Sequence, residues 1–377
     1  MKIAIYETVH LDWIIPYAEL LAEEDVSVNF ITSAMFKNDL ESILAQKKLR
    51  FTWHFLDPDD THIDFFKNIH SALKRNHYDL VIFNSIDSRL LIIFIILMLS
   101  KPGRILVNLH DINNFFKVKP SLSIRTNIRS IGKKLLMLLA DGYIVNAENM
   151  KWYMIKNRLT KKPIYWLQPV YYKPSLTDKK TTFANTIVVP GSIDQRRRDY
   201  HLVLKVIQEM LNLRVPVKWI LAGKPVEDYG VKIIEKAKEL ITYGADISFY
   251  KEVIPENEFQ QIIAASSLIL SPLVSSTTIH DNISEIYGES KGSGNVYDAI
   301  RHAKPLIVPS TITVPKEIVT SCIVYQSKDN LVEQLVKILT DSSIFSGYIQ
   351  KAERNSQGFS KERIKNMFKA AFLKASS

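Results

Sequence analysis

Short apolar runs alternate with longer segments whose apolar residues recur every three to four positions along the whole chain. In the first half the short runs lie at 2–7, 27–32, 51–56, 79–84, 104–110, 142–146 and 164–167. Their length and their content of β-branched and aromatic residues predict strands. Between them, 11–24, 61–76 and 121–140 carry helical periodicity. The second half repeats the pattern, with strands predicted at 186–190, 217–222, 247–250, 268–271, 306–308 and 323–325. Helices are predicted there over 200–213, 227–242, 256–265, 295–303 and 328–340. Alternating strands and helices imply parallel sheets covered by helices. Two such runs imply two doubly wound, Rossmann-like domains. The stretch 168–185 is polar, contains proline and has no apolar period, so it reads as a linker. The tail 346–377 reads as helical and basic.

A length of 377 residues suits two ordinary domains. An apolar fraction of 46% and a charged fraction of 23% are those of a soluble globular protein. The chain opens MKIAIYE, a strand and not a targeting signal, and a lone Cys322 excludes an internal disulfide. Both features suit a reducing cytoplasm. No Cys/His cluster has metal-ligand spacing, so no metal is expected. The longest apolar run, 90–99, is shorter than the roughly 20 residues a bilayer span needs and reads as a buried helix.

The net charge of +10 is unevenly spread. Residues 117–162 hold eleven Lys/Arg against Asp141 and Glu148, a net of +9. Within them Ile124, Ile128, Ile131, Leu135 and Leu138 keep helical spacing, with Arg125, Arg129 and Lys133 alongside. A stripe of that kind suits either a core-facing helix with a solvated basic flank or a membrane surface bearing anionic lipid. Nucleic acid fits poorly, because Trp152 and Tyr153 are the only aromatic platforms nearby.

Open parallel sheets bind ligands beyond the carboxyl ends of their strands, so the residues just after each strand are the informative ones. His110 and Asp111 follow the fifth strand of the first half. In the second half Gly191, Ser192 and the run Arg196-Arg197-Arg198 follow one strand, Gly223 and Lys224 the next. Then comes the loop 272–294, with His280, Asp281, Glu285, Glu289 and glycines 288, 292 and 294. The segment EIYGESKGSGNVYDAIRHAKPLIVPS reads as a glycine loop, a helix opening near Asn295 and a buried strand. Glycines before a helix let the backbone approach a ligand, and first-turn amides favour an anion such as a diphosphate. No G-x-G-x-x-G follows the first strand, and neither a P-loop nor a G-x-S-x-G is present.

With these residues in view, the chain resembles a GT-B glycosyltransferase of the retaining family 4 ("group 1") type. PGSIDQRRRDYHLVLKVI is similar to the family's opening of the second domain, with Arg197 where its phosphate-binding lysine stands. The resemblance also covers WILAGKP, ISFYKEVIPENEFQQIIAASSLILSP and the glycine-loop segment, and FSKERIKNMF suits the family's last helix.

It implies the following expectations. The fold is a GT-B architecture of two doubly wound parallel-sheet domains facing a cleft. Its N-terminal, acceptor-side domain covers 1–170 and its donor domain 171–345, with a C-terminal helix over 346–377 returning to the first domain. The activity is retaining, metal-independent transfer from a nucleotide-sugar co-substrate to a glycan or lipid-linked acceptor, as in polysaccharide biosynthesis. The donor would be held by Gly191, Arg196, Arg197, Lys224, Gly292, Ser293, Gly294, Asn295 and Asp298, with Asp298 on the ribose. His110 would face the sugar, and either Glu289 or Glu285 would contact it. No cofactor is implied. The family's glycine pair after the first strand is missing, and its arginine after the first glycine is Ser192.

Two other readings stay open. A sugar-nucleotide epimerase needs first-domain carboxylates, and Glu7, Asp12 and Asp111 are those near strand ends. A catalytically degenerate GT-B subunit would act by binding a protein.

Overall fold

The computed structural model describes all residues except 23, 25, 48–50, 75–76, 87, 118–121, 169, 173–184, 279–282 and 374–377. The side chains at 12, 44–47 and 373 are also outside the description. Most of the expected linker, and His280 and Asp281, thus lie outside the described residues. The chain divides into two compact units. The first is Met1–Pro169 with Ile279–Glu285 and Glu362–Ser377; the second is Val170–Thr278 with Ile286–Lys361.

The first unit holds strands β1 (Lys2–Glu7), β2 (Ser27–Ser33), β3 (Thr52–Leu56), β4 (Leu80–Phe83), β5 (Arg104–Leu109), β6 (Gly142–Val145) and β7 (Ile164–Trp166). They form one parallel sheet in the order β3-β2-β1-β4-β5-β6-β7. The central strands β1, β4 and β5 are nearly continuous apolar runs because helices cover both faces of a parallel sheet. The helices are α1 (Leu11–Leu21), α2 (Lys37–Lys47), α3 (His62–Lys74), α4 (Leu90–Ser100), α5 (Ile112–Phe116), α6 (Ile124–Leu139) and α7 (Glu148–Lys156).

The second unit holds β8 (Thr186–Pro190), β9 (Lys218–Ala222), β10 (Asp246–Phe249) and β11 (Leu268–Leu270). Two three-residue strands follow, β12 (Ser276–Thr278) and β13 (Ser284–Ile286), the latter ending across the unit boundary, and then β14 (Leu306–Pro309) and β15 (Cys322–Tyr325). The sheet order is β10-β9-β8-β11-β14-β15, again parallel. Its helices are α8 (Tyr200–Asn212), α9 (Glu227–Thr242), α10 (Glu256–Ala265), α11 (Gly294–His302), α12 (Lys328–Thr340) and α13 (Ser342–Gln357). Trp219, Tyr200 and the β8 and β11 residues fill its core.

The last helix, α14 (Lys361–Phe368), lies almost wholly in the first unit. Lys365 and Lys369 reach Glu24 Oε1 at 3.3 and 2.9 Å, and the Phe368 ring meets Tyr17 edge-on at 6.0 Å. Residues 346–361, expected with this returning segment, stay in the second unit, so the return begins later than the sequence suggested. The apolar α4 is a helix as expected, but one face remains open, with Ile95, Met98 and Leu99 exposed.

Each sheet reverses its strand order once, between β1 and β4 in the first unit and between β8 and β11 in the second. Crevices for ligands form at such reversals, beyond the carboxyl ends of the strands.

Candidate functional site

In the second unit the reversal is bridged by one side chain. Asn295, at the start of α11, donates from Nδ2 to the Pro190 carbonyl at the end of β8 (3.1 Å). Its Oδ1 accepts from Ser271 Oγ, just past β11, at 3.2 Å. The same oxygen lies 3.3 Å from Arg198 Nη2. Arg198 also donates from Nη1 to the Ser192 carbonyl (3.3 Å). Its Nε is buried and has no hydrogen-bond partner among the described residues.

The glycines explain how the loops come this close. Gly191 has φ +97°, and a Cβ there would lie 2.2 Å from Arg198 Nη2. A Cβ on Gly223 would lie 2.0 Å from the Gly191 carbonyl oxygen. The turns after β8 and β9 can therefore stack only because neither residue has a side chain.

The arginine run divides. Asp194, buried, accepts from the Arg196 amide (2.9 Å) and from Arg196 Nε (3.2 Å), and lies 3.6 Å from Arg197 Nε. Arg196 also reaches Glu227 at 3.4 Å. Arg196 and Arg197 thus both lean on Asp194, and Arg198 is the one turned into the reversal. The turn at 195–197 swings the first two side chains back over the nearby acid. Lys224 likewise sits 3.7 Å from Glu252 on the surface.

α11 begins beside Arg198. Ser293 is its N-cap residue, but no side chain caps the helix. The Ser293 hydroxyl points to Asn295 Oδ1 at 3.5 Å instead of to a first-turn amide. Gly294 faces open space where a Cβ would stand, and Gly292 is half-buried next to it. An uncapped helix start with an adjoining arginine is an anion site in charge and in donor geometry. Asp298 is buried one turn further along α11.

The two candidate sugar-contacting carboxylates separate. Glu289 lies half-buried in the turn after Gly288, whose φ of +81° no other residue adopts without strain. Its carboxylate has no hydrogen bond or ion pair among the described residues. Glu285 is fully buried and belongs to the first unit. Its oxygens accept the Asn113 and Asn114 amides at the start of α5, at 3.2 and 2.6 Å. Around it Asn113 Nδ2 donates to the Ser284 carbonyl (3.0 Å), Tyr153 Oη to Asn113 Oδ1 (2.9 Å), and buried Lys133 to the Asn114 carbonyl (2.6 Å). Glu285, expected as a possible sugar contact, is held by the first-turn amides of α5.

The first unit has its own polar cluster at its reversal. Glu7, at the end of β1, is buried and accepts four hydrogen bonds. They come from the Val9 and His10 amides (2.7 and 2.9 Å), Asn84 Nδ2 (2.5 Å) and Ser85 Oγ (2.7 Å). Burial raises its pKa above the ordinary 4.5, outweighing the opposing pull of His10 and of these donors. His110 stands against the cluster. Its Nε2 lies 2.8 Å from the Asn84 carbonyl and 3.3 Å from Ser85 Oγ, and its Nδ1 3.4 Å from Asn146 Nδ2. A carbonyl accepts and an amide donates, so these partners select the neutral tautomer protonated on Nε2. The His10 and Trp13 rings lie 5.1 and 4.8 Å from the His110 ring.

Sequence reasoning placed His110, Gly191 and the Gly292–Asn295 turn where polar chemistry gathers. It named Arg198 only within the arginine run, did not name Ser85 or Asn146, and took Glu7 only as a first-domain carboxylate near a strand end. Position after a strand was the available signal for Ser85 and Asn146. For Arg198 the clue was Asp194, which can pair with the two arginines nearest to it.

A separate cavity of about 640 Å³ opens by the amino ends of β8–β10, lined by Met210, Leu211, Pro216 and Trp219 among others. It lies at the opposite strand ends from the polar cluster.

No protein-family model and no curated protein sequence matches the chain. Solved structures do. The chain is similar to Anabaena HepE in complex with UDP, at 15% identity and TM-score 0.67 over 99% of this chain and 100% of that one. It is equally similar to sucrose-phosphate synthase from Thermosynechococcus elongatus, at 15% identity and TM-score 0.67 over the full length of both. A putative UDP-N-acetylglucosamine 2-epimerase from Listeria monocytogenes matches at 13% identity and TM-score 0.57, over 100% of this chain and 97% of that one. HepE and sucrose-phosphate synthase are glycosyltransferases of GT-B fold. With one seven-stranded and one six-stranded parallel sheet, each flanked by helices, this chain has the GT-B fold.

Proposed function

We propose that the protein is a glycosyltransferase that moves a sugar from a nucleoside-diphosphate sugar to a glycan or lipid-linked acceptor. The observation that carries this reading is Arg198. It is held at the strand reversal of the second unit beside the uncapped start of α11, with no carboxylate partner among the described residues. A diphosphate supplies the charge and the acceptor oxygens that this pair lacks. The UDP bound to HepE supports the same ligand class here.

The mechanism follows from that placement. As the bond from the sugar's anomeric carbon to the diphosphate oxygen breaks, negative charge develops on the leaving group. Arg198 and the first-turn amides of α11 stabilise it without reorganising, the kind of term that usually dominates such catalysis. They supply what a divalent cation supplies in other enzymes, so the reaction is metal-independent and needs no cofactor. Glu289 contacts the sugar, and Asp298 holds ribose hydroxyls. Retention of configuration comes from the family 4 resemblance. The net +9 of residues 117–162 suits a lipid-linked acceptor at the inner face of a membrane. Of the three carboxylates that the epimerase reading could use, Glu7 is taken up, because both of its oxygens accept donors and it is buried.

The test is calorimetry with UDP, GDP, ADP, CDP and dTDP, followed by turnover of the matching nucleotide-sugar. Binding of one nucleotide on the order of micromolar supports the reading. No binding of any of them overturns it, and a degenerate partner-binding subunit becomes the better account.

A further inference from the structure

α6 turns most of its predicted apolar stripe outward. Its buried residues are Ser130, Gly132, Lys133 and Leu136. Gly132 lets α4 cross so closely that a Cβ there would lie 2.7 Å from Leu90 Cβ, and Lys133 donates hydrogen bonds to the Asn114 carbonyl and Oδ1. Leu136 lies in the core with Met137 and Leu139 against it, and Leu135 is half-buried, but the other four residues of the predicted stripe point the other way. Ile124 is 75% exposed, Ile128 48%, Ile131 52% and Leu138 73%. Their spacing of four, three and seven residues sets them on one stripe. A core-facing stripe, one of the two expectations from the sequence, is therefore excluded. The flanking charges are not the three the sequence suggested, since Lys133 is buried and Arg129 half-buried. Arg125 and Lys134 are exposed, and helical geometry puts one on each side of the stripe.

We infer that the outward face of α6 is a docking surface for an anionic lipid bilayer. A row of aliphatic side chains with Arg125 on one side and Lys134 on the other matches acyl chains beneath acidic headgroups. A second copy of this chain fits poorly, because it would bring two segments of net +9 together. The contact would be peripheral: no helix among the described residues is long and apolar enough to cross a membrane. The inference stands independently of the donor site, which lies in the other unit.

The experiment is flotation of the full chain with vesicles of phosphatidylcholine alone and of phosphatidylcholine mixed with phosphatidylglycerol. Wild type is expected to float with the mixed vesicles at least tenfold more than with neutral ones, and less as salt rises. The combined variant Ile128→Ser, Ile131→Ser, Leu138→Ser should lose tenfold or more of this binding while keeping the wild-type melting temperature and nucleotide affinity. Arg125→Glu with Lys134→Glu should abolish the preference for the anionic lipid. Wild type that ignores both vesicles, or a serine variant that floats as well as wild type, overturns the inference. So does a wild-type dimer, seen by sedimentation equilibrium, that the serine variant dissolves.

Discussion

Arg198 Nη2 lies 3.3 Å from Asn295 Oδ1, joining the loop after β8 to the first turn of α11. Asn295 Oδ1 takes this contact and Ser271 while its Nδ2 holds the Pro190 carbonyl, whereas Arg198 keeps an unpaired buried Nε. The pair is a fixed frame with one unused cationic edge. Replacing Arg198 by Ala removes charge-assisted hydrogen bonds worth roughly 1.5–3 kcal/mol each. Nucleotide affinity by calorimetry should then fall about 10- to 100-fold. Arg197→Ala, on the Asp194 side, should stay within about threefold. Equal losses in the two variants would return the phosphate contact to Arg197.

The two glutamates should part in the same way. Glu285→Ala leaves the Asn113 and Asn114 amides without their buried acceptor, at roughly 1–3 kcal/mol each. Its melting temperature should drop by several degrees, with little change in nucleotide affinity of the folded fraction. Glu289→Ala should leave the melting temperature unchanged and lower kcat by about 100-fold, about 2.7 kcal/mol of transition-state stabilisation. A Glu285 variant of full stability and no activity would reverse these roles.

His302 gives a pH signature. Burial, with Arg301 and Lys304 nearby, pushes its pKa down from 6.5 to about 3, and its Nε2 lies 2.6 Å from Gln260 Oε1. The folded protein holds it neutral, so its contribution is complete above pH 6.5 and is lost as pH falls through 6.5 toward 3. The slope approaches about 1.4 kcal/mol per pH unit. Urea unfolding of His302→Gln should show that slope removed. An unchanged slope would mean the ring is protonated in the fold.

Glu7 acts with the opposite sign. Its raised pKa means the folded state binds its proton more tightly, so stability falls as pH rises from 4.5 through the folded value. Glu7→Gln should abolish that decline in thermal melts collected from pH 4.5 upward. Just above pH 4.5 the Glu7 and His302 effects oppose each other, so each variant should expose the slope that the other group hides there. Parallel wild-type and Glu7→Gln curves would show that the four donors, and not burial, govern the carboxyl.

Much of this molecule was written in local pattern. The strands 2–7 and 186–190 and the helices 227–242, 256–265 and 328–340 fall where periodicity and strand length put them. Burial of both sheet faces leaves an uninterrupted apolar run, and a helix packed on one side leaves a 3.6-residue stripe. Short helices without strong periodicity, such as α5 and α7, were not legible, since tertiary contacts hold them. The glycines near 191 and 292–294 were legible because close backbone approach demands them. What the tertiary structure alone decided is orientation. Three consecutive arginines look alike in sequence, and only the turn after Asp194 sends two to the surface and Arg198 inward. Glu285 and Glu289 are equivalent by composition, and only the fold puts one on the amides of α5. The stripe of α6 has the same period whether it faces core or solvent. Gly132 and Lys133, by packing inward against α4 and Asn114, turned it out.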